Sequence, residues 1–188
     1  MSALWIAAQD PHAVVDPSLH EFIVADLGPD HALWYGHMDL PRPLKDRQWV
    51  VESNNDHALA TRTANRCWEH HWKLRADQLD VARAAVDAGK EPAVTGAMMD
   101  DAVLTPMNQG AWTLVALDPG HTLVAYQATT VVGGAIPDWL VAELARARLE
   151  EVLRSLEERA RDWAPGHYVT GHAPLIGADG VPLPPLRP

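Results

Sequence analysis

The strongest constraint on this chain is a run near its C-terminus. Ile136, Leu140, Leu144, Leu149, Val152, Leu153, Leu156, Ala160 and Trp163 recur there at spacings mainly of three, four or five, with Arg and Glu between them. That is the pattern of a single long amphipathic helix. Pro137 stands near its first turn, and Asp138 and Glu143 stand toward its positive end, as a helix start requires. A helix of about 27 residues is roughly 40 Å long, whereas an eight-residue strand spans roughly 26 Å. Because the chain's other periodic runs are short, the helix has to lie along or diagonally across a twisted, curved antiparallel sheet that grips it. The expected fold class is therefore α+β, a curved antiparallel sheet wrapped around a long C-terminal helix.

Strand-like runs supply such a sheet. "EFIVAD" (21–26) ends in the turn "LGPD", and "HALWYGHMDL" (31–40) follows with Trp34, Met38 and Leu40 on one parity and Tyr35, His37 and Asp39 on the other. Pro41 and Pro43 then stop pairing, since neither donates a ladder hydrogen bond and each restricts the residue before it. The third strand, from Arg47 to about Asn54, places Arg47, Trp49, Val51 and Ser53 on one face. "ALATRTANR" (58–66) reads as a fourth strand, residues 73–90 as an inserted helix ending at a glycine, and 97–104 as a weak strand. "AWTLVAL" (111–117) and "HTLVAYQATT" (121–130) form a hairpin across Asp118-Pro-Gly120.

Charge removes several functions. Fifteen Lys and Arg against 25 Asp and Glu give a net −10, which repels nucleic acid and anionic surfaces. The single Cys67 fits a reducing compartment, and the opening "MSALWIAAQDPH" lacks a basic leader region, so a cytoplasmic location is expected. "CWEHHW" (67–72) would bring Cys67 and His71 together only in a helix and has no second ligand pair at metal spacing. No phosphate loop, HExxH or ordered Ser-His-Asp set is present. Neither metal nor cofactor is expected.

Two segments together carry a family likeness. "MDLPRPLKDRQWV" resembles the Pro-x-Pro-x-x-x-Arg-x-aromatic-Val segment of START domains, the lipid-transfer branch of the SRPBCC or Bet v 1-like helix-grip superfamily. "VVGGAIPDWLVAELARARLEEVLRSLEERA" is similar to the START C-terminal signature, Gly-x-x-Pro-x-Trp followed by the lid helix. They occur in the family order and at about the family distance. The resemblance implies a helix-grip domain over 1–163 with a hydrophobic ligand between sheet and helix. Only 40 residues precede Pro41, so the N-terminal strand and helices of such a domain would be missing, and the 73–90 helix would be an insertion. Residues 164–188, rich in Pro and Gly and ending in a PxxPx[KR] run, read as an extended, mobile tail.

On that reading the ligand-facing residues are His37, Arg47, Trp49, Val51, Thr61, Thr63, Trp112, Trp139, Leu140 and Leu144. The partners are a lipid or other hydrophobic small molecule, a membrane touched transiently, and a second copy of the chain completing the sheet. Sterol-binding members of the family carry a buried acid and base; the corresponding positions hold His37 and Ser53. The alternative is a cyclase/aromatase-like or hydrolase-like enzyme in the same cavity, with His37 and Asp39 moving protons. Binding is preferred over catalysis because a structural histidine is the commoner role for such a side chain.

Overall fold

The computed structural model describes residues 1–10, 18–28, 30–134, 136, 138–169 and 176–186, with the side chains of 138–140, 144, 145, 147 and 148 outside the description. In chain order the elements are α1 (Ser2–Gln9), β1 (Leu19–Gly28), β2 (His31–Met38), β3 (Arg47–Asn55), α2 (His57–Arg62), β4 (Cys67–Leu74), α3 (Leu79–Asp87), α4 (Gly96–Asp101), β5 (Val103–Leu104), β6 (Met107–Asp118), β7 (His121–Val131), α5 (Asp138–Glu158) and α6 (Ala164–His167). A π-turn over Arg159–Trp163 joins α5 to α6. The seven strands make one curved sheet in the order β1-β2-β3-β4-β6-β7, antiparallel throughout except that β5 runs parallel to the start of β3. With its C-terminal helix, this is the α+β helix-grip architecture.

Register decides which side chains share a face, because directly opposed residues point the same way. Trp34 opposes Val51, Ser53 opposes Trp72, Asn55 opposes His70, His70 opposes Trp112, and Trp112 opposes Tyr126. This inner face meets α1 and the C-terminal half of α5 in a core of Trp5, Trp68, Trp112, Leu114, Leu156 and Ala160. The other face carries Phe22, Val24, Leu33, Tyr35 and Val50, which pack under Ala82, Ala85, Val86 and Met99 of α3 and α4. β3 is therefore covered on both sides, whereas Ile23 and Leu27 on β1 remain exposed.

Several sequence expectations change. The fourth strand is "CWEHHWKL" rather than 58–66, where Asp56 caps a short helix by accepting from the Leu59 amide at 2.8 Å. Ala64 and Asn65 then turn the chain at positive φ. The helix expected from 73 begins later, since Lys73 and Leu74 still pair with β3, and the weak strand at 97–104 is mostly α4, capped by the Thr95 hydroxyl. Of the long apolar stripe, Leu149 and Leu153 are exposed, and the seam narrows to Val152, Leu156, Ala160 and Ala164.

The ends of the chain also hold more structure than their composition suggests. Trp5, fully buried in α1, donates from Nε1 to the Ile176 carbonyl at 3.0 Å and meets Trp68 edge-on at 5.2 Å. The described part of the 164–188 segment is docked: Ile176 bridges to Pro182, and Gly177 and Ala178 are buried. Arg187 of the polyproline-like run lies outside the described residues. Among the described residues no helix is long and apolar enough to cross a membrane.

Candidate functional site

Arg47 opens β3 with its side chain buried. Its guanidinium donates from Nε to the Val132 carbonyl and from Nη2 to that of Gly133, both at 2.8 Å, while Nη1 donates to the carbonyls of Lys45 and, at 3.2 Å, Asp46. The planar fork of donors suits a cluster of carbonyls that a lysine could not satisfy at once. Gly133 and Gly134 lie at φ +69° and +71°, and a Cβ on Gly134 would stand 2.9 Å from Nη2. The arginine after the proline corner thus fastens the segment leading into α5. A cleft of about 280 Å³ opens beside it, lined by Val131, Val132, Ile136 and Val141 among others.

Beyond this fastening, the inner face is aromatic. Trp49 lies over Gly36 so closely that a Cβ there would fall 2.3 Å from the indole. Trp72 stacks near Tyr126 at 5.7 Å and donates to Asn108 Oδ1 at 3.0 Å, and Trp112 leans on Tyr126 at 4.5 Å. Polar groups interrupt the lining. Glu21, opposed to Gly36, shares the Trp49 face. Burial pushes its carboxyl up to about 7, with Arg159 pulling the other way. Burial in turn lowers Arg159, while Glu21 supports its charge. Tyr126 is pushed up to about 12 by burial and then by Glu21. Glu21 of β1 therefore acts both on Arg159 of the π-turn and on Tyr126 of β7. Nearby, His70 is pushed down to about 4, chiefly by burial, with Nδ1 at 2.7 Å from Asn55 Oδ1.

No protein-family model matches the sequence, and no curated protein matches it significantly. Solved structures do match. Human STARD10 superposes with a TM-score of 0.64 at 14% identity, covering 86% of this chain and 58% of its own. A STAR-related lipid transfer protein fragment from Xanthomonas axonopodis superposes at 0.61 with 19% identity, covering 86% of this chain and 79% of its own. The chain has a START-like fold. It spans somewhat over half the length of the human chain.

Within the START-like frame the expected ligand-facing residues separate. Trp49, Val51 and Trp112 are buried on the inner face, as is Ser53. Arg47 is engaged with backbone carbonyls. Trp139, Leu140 and Leu144 belong to α5, but their side chains lie outside the described residues. Thr61 is exposed on α2, and the Thr63 hydroxyl donates to the Leu59 carbonyl at 2.8 Å to close that helix; the strand that would have aimed both threonines inward is absent. His37 opposes Gln48 and so points to the outer face with Tyr35, away from Trp49. Cys67 and His71 fall in β4, where residues four apart are about 13 Å distant, so they form no ligand pair.

Glu21, Tyr126, Trp72 and Arg159 were not singled out by the sequence. Tyr126 and Trp112 could have been joined by counting across the 111–130 hairpin. Glu21 gave the opposite signal, because its apolar neighbours Phe22 and Val24 face the outer core.

Proposed function

We propose that this chain binds a lipid or another hydrophobic small molecule between the inner face of the sheet and α5. The observation that carries the reading is the Glu21, Arg159 and Tyr126 group set among Trp49, Trp72 and Trp112. Mostly apolar walls with a few convergent polar groups are how ligand sites are generally built. Glu21 supports it further, as an acid on the Trp49 face whose carboxyl is raised by burial. The two START-like structures, one of them a STAR-related lipid transfer protein, agree with this direction. An amphiphile with an apolar body and one hydrogen-bonding head is the ligand class that matches. Delivery would require a transient membrane contact, and a second copy could cover an edge strand.

The enzymatic alternative has less support, because His37 and Asp39, its proposed proton carriers, stand on the outer side of the sheet. Native mass spectrometry of the chain before and after incubation with a mixed lipid extract tests the proposal. The expected result is a discrete adduct of a few hundred daltons, lost on denaturation and weakened in Arg159→Met. A chain that stays free of adduct in both samples would refute it.

A further inference from the structure

On the outer face, at the mouth of the proline corner, one imidazole and two carboxylates converge. His37 Nε2 lies 3.4 Å from Asp39 Oδ1 and 3.6 Å from Asp46 Oδ2, and one ligand atom from each of the three residues falls within 4.8 Å of the others. His37 is fully buried, and its Nε2 makes no hydrogen bond. His20 stands alongside, its Nε2 at 3.5 Å from Asp39 Oδ2.

The surrounding hydrogen bonds determine what Nε2 carries. Gln48 donates from Nε2 to the Met99 carbonyl at 2.7 Å and to that of Ala102 at 3.1 Å, the carbonyls that end α4. Its amide oxygen therefore faces Tyr35, whose hydroxyl donates to it at 3.2 Å. With its only proton so committed, the Tyr35 oxygen is left to accept from His37 Nδ1 at 3.3 Å. The proton of a neutral His37 is thereby held on Nδ1, and a lone pair on Nε2 faces two carboxylates. Asp46 is also oriented, because its Oδ1 accepts from the Leu40 amide at 2.8 Å, leaving Oδ2 for the convergence point.

A lone pair and two carboxylates pointing at one another require a positive charge between them. A second proton on His37 would supply it through charge-assisted hydrogen bonds, which run at about 2.7–2.9 Å. The observed separations are longer than that. They match the distance between two ligands on one tetrahedral zinc, about 3.3 Å for bonds near 2.0–2.1 Å. The relay from His37 Nδ1 through Tyr35 to Gln48 is also the kind of outer support that fixes the tautomer of a metal-binding histidine.

We infer that His37, Asp39 and Asp46, with His20 at the rim, form a binding site for a divalent transition-metal ion such as Zn2+. One imidazole with carboxylate oxygens is a donor set such ions accept. Asp39 follows the end of β2 and Asp46 precedes β3, so the ion would join the two ends of the proline corner. The site lies across the sheet from the inner face, and its role is a clamp rather than a part of the lipid site.

The test is equilibrium dialysis of the full chain, stripped with chelator, against Zn2+ alone, with metal quantified by mass spectrometry and Co2+ absorption as a second readout. One ion per chain is expected, with at least about a tenfold loss of affinity in each of Asp39→Asn and Asp46→Asn. Both carboxylates are partly exposed, so these variants keep the fold where a His37 variant could fail. Asp118→Asn, which alters an exposed His–Asp pair elsewhere, should bind as wild type. No uptake of Zn2+, or uptake unchanged in both site variants, or uptake lost equally in Asp118→Asn, would overturn the assignment.

Discussion

Arg47 Nε reaches the carbonyl of Val132 at 2.8 Å, so the residue that closes the proline corner also holds the segment that leads into the gripped helix. The two sequence signatures that carry the family likeness are one contact in space.

Removing that contact should be costly. Arg47→Ala removes the donors to the part-buried carbonyls of Lys45, Val132 and Gly133 and should lower the unfolding free energy by about 1–3 kcal/mol, measured by urea denaturation. Arg47→Lys should recover only part of this, because an ammonium cannot span the carbonyls of Lys45, Val132 and Gly133 together. Both variants should be cut faster by protease near 130–136.

Gly36 is required by its neighbour. In Gly36→Ala the new methyl group would meet the Trp49 indole at 2.3 Å, and displacing a buried ring should cost about 1–3 kcal/mol. A shift in tryptophan emission should accompany the loss. Gly120→Ala, with its nearest atom at 3.6 Å and no positive φ, is the matched control and should change stability by less than about 0.5 kcal/mol.

Glu21 and His70 should tilt stability with pH in opposite directions. Glu21 rises from its ordinary 4.5 to about 7, so its contribution is full below pH 4.5 and is lost as pH climbs through 7. His70 falls from 6.5 to about 4, so its contribution is full above pH 6.5 and is lost as pH drops through 4. Between 4.5 and 6.5 the two slopes oppose each other. Relative to wild type, Glu21→Gln should gain stability as pH rises from about 5 to about 8, and His70→Gln should gain it as pH falls from about 6 to about 4. Denaturation midpoints across this range check both; parallel profiles for all three proteins would contradict the assignments.

Trp5 should anchor both chain ends. Trp5→Ala removes a fully buried indole and the donor to the Ile176 carbonyl, and should destabilise by about 3–5 kcal/mol. Hydrogen exchange should speed up in α1 and around 176–182 together, whereas a tail independent of α1 would exchange alike in both proteins.

The sequence disclosed the gripped helix, the proline corner and the last hairpin because each rests on a local signal: a 3.6-residue period, two missing donors, or a turn of fixed length. It placed Trp49, Val51 and Trp112 on the inner face because inward parity in β3 and β6 coincides with large apolar side chains. Glu21 and His37 exchanged roles for a single reason. Over β1–β3 the outer face is as apolar as the inner one, since α3 and α4 lie on it, so alternation there cannot tell inside from outside. His37 looked inward by analogy, and nothing in "EFIVAD" set Glu21 apart from its strand. The strand expected at 58–66 failed differently: alternation over nine residues was weaker than one aspartate cap and two residues at positive φ.

The double cover over β3 also sets how freely this protein can drift. In Gln48, Trp49, Val50 and Val51 both parities are buried, so neutral substitutions are scarce along that strand. On β7, by contrast, Leu123, Ala125 and Gln127 are exposed while Val124 and Tyr126 turn inward. Chemical labels, solubilising changes and inherited variation should therefore gather on that far edge, leaving the central strand that begins at Arg47 nearly fixed.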